Sequence, residues 1–572
     1  MPTEFYEDSI DLTVQKVAAV PFDLAFEEPY PWMRLQLQSE VYSKTFESLV
    51  LENELIRITM LPELGMRIWS IFDVKNKVEF LSAPSDPKVV DIGPRGAGIL
   101  DGLLVGIGDR QRSTSLSRAD WQAFPAGGAD GAAAIVFGET GSGIEADWLG
   151  CVTLFPGRRS FTFELKVHNR SLKSIRLPSG FSAFLPGYEE VSRHVLKTPD
   201  GRVIVAKPSG FMGDIELHFD SAVFDLLPRH QPILTPRQIV SSRTEFTFYS
   251  GVPGEVAVTS DACIGVDDTS VQFQSSRLIS NCSLVVNSEG EKLAASIDLD
   301  PAVPILSLKE AFGGHPDSVE IADKDQILVA WPAQAESFGQ DTLNLPHLHA
   351  IETLELPEDL SELQRLFQVP GIGHAALAAA AQLECQNDNF HAADSLVDQA
   401  INLNAEDHLL WWLKAAIHRR IKANDESDVR LNAHFLAPLE PLLRMESFLS
   451  QGQEQGKSAN PIMDPLAKNL DASLDAIHHM LEAGFTEDVA RVLDELLRHT
   501  DSPMLRILSA WLLETRSRMS VEAGIHIQAL ENINLTPPYP WRFYEREAVN
   551  HLAQNHPDSK ALQSLSRLIN AY

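Results

Sequence analysis

The residues best placed for acid–base chemistry stand together after a Pro-Gly corner near the middle of the chain. Glu189, Glu190 and His194 follow Pro186 and Gly187 closely. In an extended segment Glu190 and His194 project to the same side, and in a helical turn they meet as an i, i+4 pair. A carboxylate beside an imidazole raises its pKa and makes it a better acid near neutral pH. We predict that the pair lines a cavity; the alternative is a solvated surface ion pair.

The elements that must position these residues begin with the stretch 50–81. Apolar and polar residues alternate in 55–60, a Pro-Glu-x-Gly corner interrupts the run at 62–65, and alternation returns in 67–72. A short polar turn and a third strand at 78–81 complete the pattern. The stretch therefore predicts a β-sheet with one buried face.

Strand patterns continue to about residue 356, where the character of the sequence changes. Short alternating runs, separated by Gly, Pro, Asn and Asp turns, fill 132–167 and 202–356. Pro357 and Glu358 then suit the first turn of a helix, and pairs of helical patterns follow to the end. The sequence predicts a multidomain protein, β then α, with a β-domain at 1–356 packed against an α-helical domain at 357–572.

Charge and composition narrow the classes of partner. The chain has 572 residues, 44% of them hydrophobic and 22% charged, which is ordinary for a globular protein. Its 47 basic and 79 acidic residues give a net charge of −32, so a nucleic acid or an anionic membrane would be repelled. The first residues carry acids where a signal peptide carries Lys or Arg, and no run reaches the roughly 18–20 apolar residues of a membrane span. We expect a cytoplasmic protein without nucleic-acid or membrane partners.

Cysteine and glycine patterns argue against a metal or a cofactor. The four cysteines are far apart, without a CxxC pair, which predicts reduced thiols that bind no metal. The adjacent His478 and His479 have the wrong spacing to share an ion on a helix. The glycines of 95–108 match neither the P-loop nor the GxGxxG spacing, so a phosphate loop is rejected. We expect no metal and no cofactor.

The exact residues of the stretch 50–81, which we call the opening module, are more specific than its strand pattern. An asparagine-led strand, then LPELGMRIWSIFD, a short turn and EFL resemble the opening of the galactose-mutarotase-like β-supersandwich. More closely they resemble a bacterial family of unknown function in which that sandwich precedes tetratricopeptide-like helices. The family's corner usually reads Pro-Glu-x-Gly-Gly-Arg, so Met66 departs from it at one position. The resemblance implies a galactose-mutarotase-like β-supersandwich, a C-terminal TPR-like helical-hairpin domain and a carbohydrate ligand.

The resemblance also implies residues that contact the substrate. Arg95 and Arg67 match the family's pattern, and Tyr188 belongs to a segment that the family directs toward its concave face. Trp32 is either a platform for a sugar ring or a wedge under the first sheet. The sequence HNRS at 168–171 closes a hairpin that resembles the family's central one; its Asn and Arg meet a sugar hydroxyl or form a strand-end turn.

Two departures affect the expected acids. The family's glutamate falls on Leu104, which cannot be a general acid, so either Asp101 or Asp109 has taken over or this copy has lost activity. Near the end of the β-part, only Glu320 stands in for the family's second carboxylate.

Two classes of function stay open, a carbohydrate-active enzyme and a non-catalytic binding protein. Aldose epimerisation would pair His194 with a glutamate. Glycoside cleavage would use two carboxylates, drawn from Asp109, Asp120, Glu189, Glu190 and Glu320. Alternatively, the β-domain binds a carbohydrate without chemistry while the helical domain recruits a protein partner or a second copy of the chain.

Overall fold

The computed structural model describes most of the chain. The described residues are 2–20, 34–87, 89–91, 97–99, 101–107, 120–124, 130–139, 146–176, 179–192, 194–210, 215–220, 223–228, 233–252, 254–267, 271–288, 290–302, 306–307, 316–324, 326–332, 354–451, 460–533, 540 and 542–570. In these residues every strand precedes every helix. The predicted succession of a β part and an α part is therefore confirmed.

The described strands are, in chain order, β1 (Glu4–Val20), β2 (Arg34–Glu52), β3 (Ile56–Leu61), β4 (Arg67–Asp73), β5 (Val78–Glu79), β6 (Val89–Asp91), β7 (Ala97–Ile99), β8 (Leu103–Ile107), β9 (Asp120–Phe124), β10 (Ala133–Glu139), β11 (Ala146–Leu154), β12 (Ser160–Asn169), β13 (Ile175–Arg176), β14 (Ser179–Phe184), β15 (Glu189–Ser192), β16 (Val195–Lys197), β17 (Val203–Gly210), β18 (Ile215–Asp220), β19 (Val223–Pro228), β20 (Ile233–Leu234), β21 (Ile239–Tyr249), β22 (Glu255–Val258), β23 (Ala262–Val266), β24 (Val271–Ser275), β25 (Ile279–Ser288), β26 (Glu291–Leu299), β27 (Leu306–Ser307), β28 (Ser318–Asp323) and β29 (Gln326–Trp331).

Two large antiparallel sheets form the first sandwich. The nine-stranded sheet has the order β1-β2-β3-β4-β8-β14-β19-β18, with β5 beside β4; the eight-stranded sheet has the order β15-β16-β17-β21-β12-β11-β10-β9. Alternate residues of each strand enter one shared core, as Phe161, Phe163, Leu165 and Val167 of β12 do. The even-numbered residues of β12 therefore lie on the outer face of the eight-stranded sheet.

A smaller second sandwich follows within the β part. Strands β22-β23-β24-β27 and β26-β25-β28-β29 form two four-stranded sheets with a hydrophobic core of their own, in which Phe273, Leu284 and Ile321 are buried. We call these strands the small sandwich. The sequence patterns did not separate it from the rest of the β part.

The opening module has the predicted order of strand, corner, strand and turn. A short 3-10 turn at Pro62–Leu64 connects β3 to β4. Gly65 and Met66 both have positive φ, 71° and 55°. This left-handed conformation is ordinary for glycine and uncommon for methionine.

The described helices are, in chain order, α1 (Leu360–Leu366), α2 (Gly373–Gln386), α3 (Phe390–Leu403), α4 (His408–Ile421), α5 (Glu426–Leu436), α6 (Pro441–Ser450), α7 (Asp464–Lys468), α8 (Leu470–Glu482), α9 (Thr486–His499), α10 (Pro503–Leu512), α11 (Ser520–Leu530), α12 (Phe543–Asn555) and α13 (Lys560–Asn570). They share one apolar core that includes Trp412, Phe485 and Leu508. Within the described ranges no helix combines the length and apolar character needed to cross a membrane.

Backbone pairing ties the helical part to the eight-stranded sheet. Lys173 and Glu355 form an isolated antiparallel bridge, and the N–H of Leu356 donates to the carbonyl of Leu172 at 2.8 Å. Leu356 then packs into a cluster with Leu363 of α1 and alanines of α2. The first helices are thereby fixed beside the end of β12.

Candidate functional site

The predicted acid–base pair lies on a hairpin, which was not one of the two geometries considered from the sequence. Strand β15 pairs with β16 up to Ser192, which opposes Val195. The chain therefore reverses at His194, where φ is 65°. His194 is buried, whereas Glu189 and Glu190 are exposed. Because the chain turns between them, neither a continuous strand nor a helical turn joins Glu190 to His194. Their catalytic role stays a prediction.

Two predicted substrate contacts are engaged inside the protein. The Tyr188 hydroxyl donates to the carbonyl of Phe80 at 3.0 Å, and the Arg202 guanidinium lies 5.3 Å from the centre of its ring. Arg67 is 1% exposed and donates through Nη1 to the carbonyl of Asp101 at 2.7 Å. Burial lowers the pKa of Arg67 to about 10. Both side chains stabilise the sandwich in this arrangement.

The other predicted site residues are dispersed. Glu320 is half-buried on β28 of the small sandwich, where it opposes Ala330. Asp120 begins β9 and pairs through its backbone with Gly138. Trp32, Arg95 and Asp109 lie outside the described residues.

The outer face of the eight-stranded sheet carries a polar strip that the sequence patterns did not single out. We define the polar strip as Thr162, Glu164 and Lys166 of β12 with Arg243 and Glu245 of β21. Glu164 opposes Arg243 directly across the two strands, and their side chains are 54% and 53% exposed. Glu164 Oε1 lies 3.8 Å from Arg243 Nη1. The strip thus presents both a carboxylate and a guanidinium to solvent.

Both ends of this face are covered by other parts of the protein. At one end, Val205 and Tyr249 of the sheet pack with Cys263 of the small sandwich. At the other, Lys166 Nζ lies 3.7 Å from Glu406 Oε2, beside the start of α4. The polar strip therefore lies between the small sandwich and the helices, and we call the space above it the cleft and the strip its floor.

A second carboxylate lies near Glu164 on this floor. Glu245 opposes Thr162 and is two residues beyond Arg243, so it is the diagonal neighbour of Glu164. Diagonal neighbours across antiparallel strands are about 7–8 Å apart. The Ser160 hydroxyl donates to Glu245 Oε1 at 3.0 Å and orients this carboxylate. Alternation of polar and apolar residues in the two strands was the only sequence signal for these residues.

A buried cluster occupies the contact between the sheet and the helices. Asp147 of β11 and His168 of β12 are cross-strand partners, His408 begins α4, and Glu440 is the N-cap of α6. His408 Nε2 lies 3.3 Å from Glu440 Oε2 and 3.7 Å from Asp147 Oδ2. A cavity of about 40 Å³ is lined by Gly138, Asp147, Trp148, Leu149, Lys166, His168, His408, Leu436, Leu439, Glu440 and Asn469.

The two imidazoles of the cluster have opposite electrostatic environments. Burial disfavours the charged form of His408, but the carboxylates of Asp147 and Glu440 outweigh it and raise its pKa to about 9. Burial lowers the pKa of His168 well below its ordinary value, and the nearby positive charges of His408 and Arg237 lower it further. His168 is therefore neutral at physiological pH.

Buried arginines surround the cluster. Arg170 donates through Nη1 to Asp147 Oδ1 at 3.0 Å and also pairs with Asp475 of α8. Arg237 makes two hydrogen bonds to Asp407, at 3.0 and 2.8 Å, and Asp407 also caps α4. The sheet and the helices are joined by charged side chains that are almost completely buried.

The sequence HNRS has two structural roles. Asn169 donates to the carbonyls of Lys173 and Thr235, each at 2.8 Å, and thereby forms the strand-end turn that was one of the two alternatives. His168 was not selected from the sequence. The register of the β11–β12 hairpin, set by the short turn between its strands, could have placed it opposite Asp147, whereas His408 carries no local signal.

Comparisons with known proteins give distant similarities. No family model matches the chain, and neither does any curated protein. A TPR-domain containing protein from Parabacteroides distasonis is similar at 13% identity over 96% of this chain and 95% of its own, with a TM-score of 0.34. A galactose mutarotase related enzyme from Lactobacillus acidophilus is similar at 10% identity over 36% of this chain and 98% of its own, with a TM-score of 0.23. Similarities at this level carry no argument about activity.

Proposed function

We propose that this chain binds a carbohydrate over the polar strip, in the cleft between the small sandwich and the helices. The observation that carries the proposal is the half-exposed pair of Glu164 and Arg243 on the floor of that cleft. A carboxylate accepts and a guanidinium donates hydrogen bonds, which suits the hydroxyl groups of a sugar. The resemblance of the opening module to sugar-directed proteins supports the same class of ligand.

The dimensions of the face favour an oligosaccharide. Phe124 is 45% exposed and ends the edge strand β9. It lies on the same face of the sheet as Gln122, two residues earlier, and Gln122 lies three strands away from Glu164. At about 4.8 Å per strand this separation is about 15 Å, longer than one sugar ring. The aromatic ring offers an apolar surface on which a sugar ring can stack. With a net charge of −32, the chain favours a neutral glycan over an anionic one.

Two carboxylates on one floor also suit glycoside cleavage. Inverting glycosidases hold their two carboxyl groups roughly 6.5–9.5 Å apart, and side chains on strand positions about 7–8 Å apart can reach such a separation. In this reaction one carboxyl group protonates the leaving oxygen and the other activates a water molecule. Binding without turnover would instead assign the chain to the non-catalytic alternative.

A paired screen tests the proposal. Neutral oligosaccharides and aryl glycosides are assayed for thermal shift and for turnover with the wild type, Glu164→Gln, Arg243→Gln and the control Arg57→Gln. Arg57 is a 42% exposed arginine paired with Glu52 on the other large sheet. We expect the two strip variants to bind the best sugar at least about tenfold more weakly, a loss of about 1.4 kcal/mol, and the control to bind as the wild type. Equal affinity in all four proteins, or no sugar that binds, contradicts the proposal.

A further inference from the structure

We propose that Asp147, His168, His408 and Glu440 form a structural site for a divalent transition-metal ion of the zinc class. The site lies between the eight-stranded sheet and the helices, and none of its four ligands belongs to the polar strip. The inference goes beyond the proposed carbohydrate function and does not depend on it.

The geometry of the donor atoms suits such an ion. One ligand atom from each of Asp147, His168 and His408 lies within 4.8 Å of the other two, and all three residues are buried. In a tetrahedral site with bonds of about 2.0–2.1 Å, neighbouring ligand atoms are about 3.3 Å apart. His408 Nε2 and Glu440 Oε2 have this separation, 3.3 Å, and Asp147 Oδ2 is 3.7 Å from the same nitrogen. Glu440 is the fourth candidate ligand because its Oε2 lies beside His408 Nε2.

The hydrogen bonding of the cluster gives an independent indication. His168 is 2% exposed, yet neither of its ring nitrogens forms a hydrogen bond; the carboxylate oxygen Oδ1 of Asp407 lies 3.6 Å from Nε2. Asp147 Oδ2 and His408 Nε2 likewise form no hydrogen bond of good geometry, although His408 Nε2 lies 3.3 Å from Glu440 Oε2. A proton on His408 would satisfy the charges of Asp147 and Glu440 but would give His168 no hydrogen bond. A metal ion would bind one nitrogen of His168 together with Asp147 Oδ2 and His408 Nε2.

The surroundings suit the charge and the orientation of the ligands. When the ion replaces the proton on His408, two carboxylates and two neutral imidazoles balance its charge. Arg170 fixes the other oxygen of Asp147, and the N–H of Leu442 donates to Glu440 Oε1 at 3.3 Å, which leaves Oε2 for the ion. Contacts of this kind orient metal ligands in known sites. The cavity of about 40 Å³ beside these residues has room for an ion.

The role of the ion follows from the origin of its ligands. Asp147 and His168 come from the sheet, whereas His408 and Glu440 begin two different helices. Four protein ligands make a closed site, which is the arrangement of structural rather than catalytic zinc. Bound metal would hold the helices against the sandwich and stabilise the folded chain.

Metal analysis of the full chain tests the inference. Chelator-treated protein is titrated with Zn²⁺ alone; bound metal is measured by elemental analysis, and Tm with and without Zn²⁺. We expect one zinc ion per chain and a higher Tm in its presence. The variants His168→Gln and His408→Gln should bind Zn²⁺ at least about tenfold more weakly. The control His434→Gln removes a half-buried imidazole bonded to Ser447 and should keep the ion.

Clear outcomes would overturn the inference. Wild-type protein that takes up no zinc at one ion per chain contradicts it outright, whether or not the variants fold. Equal zinc affinity in the wild type and a folded His168 or His408 variant places the ion elsewhere. Substitution with Co²⁺ gives a second readout on the wild type, because nitrogen and oxygen ligands in tetrahedral geometry produce strong visible absorption. A weak, octahedral spectrum would also contradict the closed four-ligand site.

Discussion

Removing the Arg237 side chain should destabilise the contact between sheet and helices far more than removing an exposed arginine. Arg237 and Asp407 have side chains 4% and 0% exposed and are joined by two hydrogen bonds. Truncating one partner of a buried ion pair leaves the other charge uncompensated and costs 3–5 kcal/mol. Asp407 keeps the backbone N–H groups of Leu409 and Leu410 as donors, at 3.0 and 3.3 Å. We therefore expect the lower end, about 3 kcal/mol, for Arg237→Ala.

Arg277→Ala is the matched control for this prediction. Arg277 forms an ion pair with Asp261 at 2.8 Å, but the two side chains are 40% and 34% exposed. Exposed pairs of this kind contribute at most about 1 kcal/mol. Urea unfolding followed by circular dichroism and tryptophan fluorescence measures both variants, with the midpoint of each transition compared because several cores unfold. Equal losses for Arg237→Ala and Arg277→Ala would refute the assignment of a buried, stabilising contact.

Three further predictions concern the cores. Burial would raise the pKa of Asp73, but Arg159, Ser250 and the Asn76 N–H outweigh it and lower the pKa. The stability that results is present above the ordinary aspartate pKa of about 4 and is lost as pH falls through the lowered value. Asp73→Asn should therefore flatten the acid limb of a Tm-against-pH curve, and an unchanged limb would refute this. Trp412→Ala should lower the free energy of unfolding in urea by about 3–5 kcal/mol, because Trp412 is 1% exposed and packs edge-on against Phe485. The neighbouring Trp411→Ala should cost about 1 kcal/mol or less. Equal losses would contradict the assignment of the two residues to different faces of α4. All four cysteines are free, and burial raises the pKa of Cys385 to about 12. A thiol reagent should therefore react slowly with the native chain and should modify all four thiols after unfolding. Fewer than four reactive thiols would indicate a disulfide.

Local patterns in the sequence predicted the elements that local physics determines. The period-two alternation in 160–169 corresponds to strand β12, and the corner at 62–65 corresponds to the short turn between β3 and β4. The predicted helix start near residue 358 corresponds to α1, whose N-cap Asp359 accepts from two backbone N–H groups. In each of these stretches the signal and the structure lie within a few residues of one another.

Features that depend on distant contacts could not be obtained in this way. The strands of the small sandwich have the same alternation as those of the large one, and only their packing separates the two cores. The reversal at His194 needs a left-handed conformation that glycine usually marks and histidine does not. The cluster of Asp147, His168 and His408 joins positions up to 261 residues apart, from 147 to 408, and each looks unremarkable in its own segment.

A crystal structure of the chain with its best-binding oligosaccharide tests the central claim most directly. We predict that the sugar lies over the polar strip, with its hydroxyl groups within hydrogen-bond distance of Glu164 and Arg243. The sequence-based alternative would place it instead against the hairpin of Glu190 and His194. A sugar bound at that hairpin, or anywhere away from the outer face of the eight-stranded sheet, would contradict the account.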